Sequence, residues 1–215
     1  MNINIRHETP EDYRKVEEVT REAFWNLYCP GCKEHWLVHN LRKHPDCLPE
    51  LSFLIECDGR IVGSIFYSKS KVVSNDGTET ETLTFGPVSI LPELHRQGLG
   101  RLLISHSIEQ AKKLGHRAII IGGYPYHYHP YGFIGAKKYG ICMPDGNYYI
   151  GIMAQPLYEG ALDGISGTHF CEALEPDESG LEDFDKLFPA KIKQVQPSQH
   201  EFERVSSTID TNDYD

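Results

Sequence analysis

The sequence has no long hydrophobic run and no apolar block near its start. No stretch approaches the roughly 20 apolar residues that a membrane-spanning helix needs. The opening residues, MNINIRHETPED, alternate in polarity and carry acids where a signal peptide would be apolar. We therefore expect a soluble, cytoplasmic protein without a membrane partner.

The sequence also lacks a surplus of positive charge. The formal net charge is −10, and residues 160–215 hold 13 Asp and Glu against 4 Lys and Arg, which leaves 18 against 17 in residues 1–159. Contacts with phosphates of nucleic acids need clustered Lys and Arg. A near-neutral body with an acidic end therefore argues against nucleic acid as a partner.

The six cysteines lack the context of a disulfide framework, and we expect reduced thiols. Cys29, Cys32, His35 and His39 have spacings compatible with zinc, although a C-x-x-C pair without a matching second pair is only moderately specific. We expect no bound metal. A structural zinc clip on this loop stays open as an alternative.

The length and composition predict one main domain with an appendage. The chain has 215 residues, 40% hydrophobic and 24% charged, which suffices for one substantial core. We expect an α+β domain over residues 1–158. Residues 159–215 are predicted to form an acidic extension that is partly helical near residues 179–187 and disordered at its end.

Hydrophobic periods divide the main domain into helices and strands. An N-cap at Thr9 followed by Pro10 predicts a helix to about Phe24, and a second helix is predicted over residues 33–43. The turn signals Asp58-Gly59 and Asp76-Gly77 separate three β-rich runs, which predicts an antiparallel meander.

The spacing of hydrophobic residues is again that of a helix over residues 98–114. The residues predicted to face inward are Leu102, Leu103, Ile108, Ala111 and Leu114. A buried strand over residues 117–121 follows, and a strand, helix, strand order implies parallel pairing. Two more strands are predicted near residues 137–143 and 148–157.

A strand, a glycine-bearing loop and a helix N-terminus follow one another between Gly86 and Arg101. Gly98 and Gly100 remove side chains where the backbone must approach a ligand, and the first helical turn presents unpartnered N–H groups. Arg96 and Arg101 add positive charge where the helix dipole disfavours it, which makes sense if an anion binds. These features suit a pyrophosphate.

Two familiar nucleotide motifs do not match this loop. A dinucleotide fingerprint would need a third glycine where Leu103 stands, and a Walker loop would need G-K-[ST]. The segment instead resembles motif A of the GNAT superfamily of N-acetyltransferases, an R/Q-x-x-G-x-G/A loop after a strand that ends in V-x-[VI]-x-P. Here that strand end is Val88-Ser89-Ile90-Leu91-Pro92, and His95 stands at the first loop position.

The resemblance extends from Ile3 to about Leu157 and implies a fold and a cosubstrate. The implied α+β fold has a mixed, mostly antiparallel central sheet flanked by helices, with its fourth and fifth strands parallel and splayed. Gly86-Pro87 favours a local irregularity there, because proline lacks a ladder donor. The contacts implied for acetyl-coenzyme A (acetyl-CoA) are Val88, Ser89, Ile90, Arg96, Gln97, Gly98, Leu99, Gly100 and Arg101.

The aromatic segment after the fifth strand looks like the family's Y-x-x-x-G-F signature, here Tyr128-x-x-x-Gly132-Phe133. The resemblance implies direct acetyl transfer from acetyl-CoA to an amine of a small molecule or peptide. In this likeness Tyr128 is the catalytic acid. A phenol with a pKa of about 10 stays protonated and can donate to a departing thiolate whose thiol has a pKa near 8.5.

No carboxylate is an obvious general base. The strand position where some relatives place a glutamate falls near Thr84, and Glu81 has the opposite parity unless a bulge intervenes. His127 and His129 have suitable pKa values, and a water chain to solvent is equally open.

Two other functional classes stay open: a non-catalytic acyl-CoA sensor or interaction protein, and a zinc-clipped interaction module. The identity of the acceptor and the presence of a homodimer are also open at this stage.

Overall fold

The computed structural model describes residues 2–214, which form a nine-stranded mixed sheet with helices on both faces. The strands are β1 (Ile3–His7), β2 (Phe53–Cys57), β3 (Arg60–Val73), β4 (Glu79–Ile90), β5 (Ala118–Gly122), β6 (Ile134–Gly135), β7 (Ile141–Cys142), β8 (Ile152–Pro156) and β9 (Gly167–Phe170). The helices are α1 (Tyr13–Phe24), α2 (Glu34–Leu41), α3 (Leu99–Lys113), α4 (Pro125–Tyr128), α5 (Leu181–Asp185) and α6 (Pro197–Ser207). The strand order is β1-β2-β3-β4-β5-β8-β6, with β9 beside β3 and β7.

Hairpin turns connect the antiparallel meander. Asp58 and Gly59 both have positive φ, 50° and 79°, which a two-residue turn with the twist of the flanking strands requires. The pairing of β4 with β5 is parallel and joins Leu83 to Ile119. The predicted α+β fold with a mixed, mostly antiparallel sheet is therefore confirmed.

A bulge interrupts β4 at Gly86-Pro87. Val88 lies opposite Ile65 and Phe85 opposite Tyr67, so the two residues Gly86 and Pro87 oppose one residue of β3. A β-bulge bends its strand and increases the local twist. The bulge lies beyond Thr84 and Glu81, and it therefore leaves the face of those two residues unchanged.

The helices divide between the two faces of the sheet. The hydroxyl of Tyr67 lies 3.0 Å from that of Ser107 on α3. Neighbouring Phe66 points to the opposite face, where the guanidinium of Arg42, next to α2, lies 5.7 Å from its ring centre. Thus α3 covers one face, and α1 and α2 cover the other.

Two predicted inward positions of α3 are wrong. Leu102 is 47% exposed and Leu114 is 54% exposed, whereas Ile104 is buried. The buried stripe runs through Leu99, Leu103, Ser107 and Ala111 at intervals of four residues. Leu102 lies about 100° from Leu103 around the helix, which places it outside this stripe.

The segment between α4 and β8 contains less strand than predicted. The strand predicted over residues 137–143 is replaced by the short strands β6 and β7, with a 3-10 turn at Ala136–Tyr139 between them. Gly140 closes that turn with a φ of 66°, a conformation that interrupts an extended strand. The strand predicted over residues 148–157 is confined to β8.

Residues 159–214 pack against the rest of the chain through a strand and two helices. β9 pairs with Lys71–Val73 of β3, and α6 covers Pro197–Ser207. The side chains of Phe184, Phe188 and Val205 are buried. A few large apolar residues at helical spacing are enough to dock this segment, although its composition is acidic. Within residues 2–214, none of the helices has the length and apolar character to cross a membrane.

Candidate active site

β4 pairs with β5 at Leu83 and Ile119, and a cleft of about 540 Å³ lies further along β4, beside Val88 and Ile90. It is lined by the start of α3 on one face of the sheet and, on the other, by Phe24 at the end of α1 and Tyr28 in the turn that follows. Eight of the ten predicted site residues line it, namely Val88, Ile90, Arg96, Gly98, Leu99, Gly100, Arg101 and Tyr128. The cleft therefore lies past the point where β4 pairs with β5.

The side chains of the other two predicted residues point elsewhere. Ser89 is fully buried, and its hydroxyl lies 2.8 Å from that of Ser64 on β3. The amide of Gln97 donates to the carbonyl of Glu93 at 3.4 Å. Any contact that Ser89 and Gln97 make with a ligand in the cleft would come from the main chain.

The start of α3 provides main-chain donors. Gly98 is the N-cap with a φ of 85°, and the α3 N-terminus has no side-chain cap. The first N–H groups of an α-helix have no intrahelical partner, which leaves those of Leu99, Gly100 and Arg101 available at the positive end of the dipole. A Cβ on Gly98 would meet nothing within 4 Å, so its requirement for glycine comes from the backbone conformation.

His95 and Arg96 shape the loop that leads into α3. The His95 Nε2 lies 2.9 Å from the carbonyl oxygen of Ile90, so the imidazole N–H can donate to the end of β4. Arg96 has a φ of 61° and lines the cleft. His95, which stands where the family pattern has Arg or Gln, thus links the loop to the end of β4.

Aromatic rings and a glycine hold Tyr128. The ring centres of Phe85 and Phe133 lie 5.8 and 5.9 Å from that of Tyr128. A Cβ on Gly123 would lie only 2.6 Å from Tyr128 Cε2, so the ring packs against bare backbone. Burial, with a smaller contribution from Tyr131, raises the pKa of Tyr128 to about 12. Its hydroxyl makes no hydrogen bond to another group of residues 2–214 and is protonated at neutral pH.

Glu81 and Thr84, which the sequence analysis considered in the search for a base, lie away from the cleft. The Thr84 hydroxyl lies 3.3 Å from His169 Nε2 in a buried polar contact, and Glu81 is paired with Lys69 at 3.0 Å. Among the described residues, no Asp or Glu lines the cleft. His127 does line it, and burial lowers its pKa, which leaves the imidazole neutral at pH 7. His129 borders a different surface depression.

The cysteine and histidine cluster connects α2 to α5. Cys32 Sγ lies 3.3 Å from His35 Nδ1, and His35 Nε2 lies 3.2 Å from Asp185. Burial lowers the pKa of His35 to about 4 and raises the pKa of the Cys32 thiol. His39 faces Glu17 instead, at 3.0 Å. Over the part of the chain that the structure describes, no group of three or more His, Cys, Asp or Glu is placed to hold a metal ion.

Tyr28 and Tyr131 are among the cleft residues that were not predicted as site residues. Tyr28 lies in the turn after α1, and its ring stacks on Phe202 of α6 with 4.1 Å between the ring centres. Tyr131 lines the cleft beside Tyr128. Their aromatic character was visible in the sequence, but the contact between residues 28 and 202 depends on how α6 packs.

The fold and cleft define an acetyltransferase architecture, and comparison with known proteins identifies the family. Residues 21–140 match the family model described as acetyltransferase (GNAT) family. This match covers more than half of the chain, so the protein belongs to the GNAT acetyltransferase family, and the resemblance seen in the sequence is confirmed.

Individual relatives agree with this assignment. The chain is 27% identical over 173 residues to the uncharacterized N-acetyltransferase YjhQ of Escherichia coli K12, covering 79% of this chain and 91% of that protein. The GNAT N-acetyltransferase YhbS of E. coli, solved in complex with CoA, has a TM-score of 0.71 at 22% identity, covering 82% of this chain and 93% of YhbS. A GNAT acetyltransferase of Brucella melitensis in complex with acetyl-CoA has a TM-score of 0.65 at 25% identity, covering 81% and 99%.

Proposed function

We propose that this protein transfers the acetyl group of acetyl-CoA directly to an amine of a small molecule or peptide. One observation carries the proposal: the uncapped start of α3 and the protonated hydroxyl of Tyr128 line the same cleft. The complexes of the two structural relatives with CoA and acetyl-CoA support this cosubstrate.

The main chain and two arginines would hold acetyl-CoA. The N–H groups of Leu99, Gly100 and Arg101 suit the pyrophosphate, because they combine free donors with the positive end of the helix dipole. Arg96 and Arg101 line the same part of the cleft and add charge. Beyond the bulge, the main chain near Val88 and Ile90 would contact the pantetheine arm.

Transfer requires one bond to form and one to break. The neutral amine nitrogen attacks the thioester carbon, the C–N bond forms, and the C–S bond breaks. Tyr128 gives its proton to the departing sulfur. It can do so only while the phenol is protonated, and the raised pKa keeps the phenol protonated at neutral pH. The amine loses a proton in the same reaction.

His127 is the group that we propose as the acceptor of this proton. It lines the cleft next to Tyr128 and is neutral at pH 7 because burial lowers its pKa. A neutral imidazole has the free lone pair that a general base needs. His95, the other histidine in the cleft, is already engaged with the carbonyl of Ile90.

The test measures CoA thiol release from acetyl-CoA with a panel of amines. Tyr128→Phe should lower turnover by about 10²- to 10⁴-fold, the usual range for a lost general acid, and leave acetyl-CoA affinity unchanged by calorimetry. Unchanged turnover would remove Tyr128 from the reaction. Tight acetyl-CoA binding without thiol release for any amine would instead favour a sensor.

A further inference from the structure

A second pocket, of about 480 Å³, lies between the end of β5 and α6. Its lining is largely apolar and includes Met143, Ile152, Phe202 and Val205. The C-terminal segment thus supplies one wall, while the chain between β7 and β8 supplies another. The volume exceeds the roughly 150 Å³ of an apolar cavity that admits benzene.

The pocket and the cleft come close to each other at the end of β5. Gly122 and Gly123 both border the pocket. A Cβ on Gly123 would lie 2.6 Å from Cε2 of Tyr128, which lines the cleft. One residue without a side chain therefore borders the pocket and also packs against the ring of Tyr128.

An aromatic pair connects the two spaces on the side of α1. Phe202 lines the pocket and stacks on Tyr28, which lines the cleft. Tyr124 is buried beside both rings, 6.2 Å from Tyr28 and 6.1 Å from Phe202 between ring centres. A molecule extending from the thioester toward α6 would pass along aromatic surface.

One acidic group lies in the pocket lining, and a second lies next to a lining residue in sequence. Asp145 borders the pocket, and hydrogen bonds from Tyr149 and Asn147 hold its pKa below the usual range, so it is ionised at neutral pH. Glu201 precedes Phe202 and accepts a hydrogen bond from Tyr126 at 3.3 Å. Negative charge at the pocket favours the approach of a cationic amine.

We propose that this pocket binds the non-reacting part of the acceptor, and that the acceptor is a small primary amine with an apolar, ring-sized substituent. The proposal rests on the acetyl transfer proposed above. Phe202, outside the segment that matches the family, is then a specificity-determining residue. The apolar substituent occupies the pocket, and the amine lies toward the cleft beside Tyr128.

The test fills the pocket from an exposed position. Ser206 and Ser207 are consecutive, exposed, and both donate their hydroxyl to the carbonyl of Glu203, at 3.1 and 2.7 Å, but only Ser206 is among the pocket-lining residues. Ser206→Trp blocks the pocket, and Ser207→Trp is the matched control. The probes are phenethylamine and ethanolamine, which differ in their apolar group.

The wild type should use phenethylamine with a kcat/KM about 10- to 100-fold above that of ethanolamine, the range for an apolar group placed in a fitting pocket. Ser206→Trp should remove this preference, and Ser207→Trp should keep it. Ser206→Leu, a smaller filling, should reduce the preference in the same direction if the tryptophan variant fails to fold.

Direct binding separates this proposal from acetyl transfer itself. Calorimetry of phenethylamine with the protein in the presence of CoA should detect binding that Ser206→Trp weakens at least about tenfold. If that binding occurs but no amine releases thiol from acetyl-CoA, the pocket assignment stands and the proposed reaction falls. Absent binding, or a preference that survives Ser206→Trp and Ser206→Leu, overturns the pocket assignment.

Discussion

Gly123 controls the position of Tyr128, and the variant Gly123→Ala should reveal this control. The φ of Gly123 is not in the left-handed region, so alanine can adopt its backbone conformation. The new methyl group would, however, lie 2.6 Å from Tyr128 Cε2. The ring cannot withdraw freely, since Phe85 and Phe133 pack against it.

The size of the effect follows from this distance. Relief to a normal carbon contact of about 3.5 Å requires a shift of roughly 0.9 Å. A misplacement of about 1 Å in a catalytic group can lower the rate about 10²-fold, which corresponds to about 2.7 kcal/mol of activation free energy. We also expect about 1–3 kcal/mol of destabilisation from overpacking.

The assay compares turnover, CoA affinity and unfolding for Gly123→Ala. Turnover should fall about 10²-fold with unchanged CoA affinity, and the same substitution in a Tyr128→Phe background should cost much less, because both changes act through one hydroxyl. A kcat within twofold of the wild type, or an equal loss in both backgrounds, would refute the reasoning.

Three further predictions concern stability and cosubstrate binding. Asp185→Asn removes the charge partner of buried Arg21, which is 2% exposed, and should lower the free energy of unfolding by about 2–3 kcal/mol in urea titrations. Burial lowers the pKa of His169 to about 4, so that between about pH 6.5 and 4 only the unfolded chain binds a proton at this residue. The free energy of unfolding should therefore fall by up to about 3 kcal/mol as the pH falls through that window. His169→Asn should reduce this dependence of stability on pH in urea titrations. Arg101→Gln should raise the Kd for CoA about tenfold in calorimetry and weaken its salt dependence.

Matched variants define what would contradict these expectations. Asp183→Asn removes an exposed ion pair on the same helix as Asp185 and should leave the unfolding midpoint unchanged. His200→Gln, at an exposed histidine, should keep the wild-type pH slope. Lys112→Gln, in the last turn of α3, should keep the wild-type Kd for CoA. If a tested variant and its matched control had equal effects, the burial or position of the tested residue would not explain the effect.

The extension contributes more than its acidic composition indicates. α5 brings Asp185 to Arg21 and places Phe184 and Phe188 against α2, while α6 brings Phe202 to Tyr28. The boundary predicted at residue 158 therefore separates segments that share a sheet and the ion pair of buried Arg21 with Asp185. We propose that residues 159–215 are needed for both stability and acceptor recognition.

Short segments of the sequence determined the elements that form the proposed acetyl-CoA site. The turn at Asp58-Gly59, the bulge at Gly86-Pro87 and the helix start at Gly98 each depend on the backbone preferences of glycine and proline, which a single segment already expresses. The spacing of Tyr128 before Gly132-Phe133, which marks the proposed acid, is likewise a property of a short segment.

Only the tertiary structure decided the rest. The contacts of Phe202 with Tyr28, of Asp185 with Arg21 and of His169 with Thr84 join residues far apart in sequence. Such contacts depend on how helices and strands pack, and packing is set by the sum of many weak interactions rather than by any local pattern. For this reason the loop of the proposed acetyl-CoA site was readable from the sequence, whereas the proposed base, the walls of the proposed acceptor pocket and the packing of α6 were not.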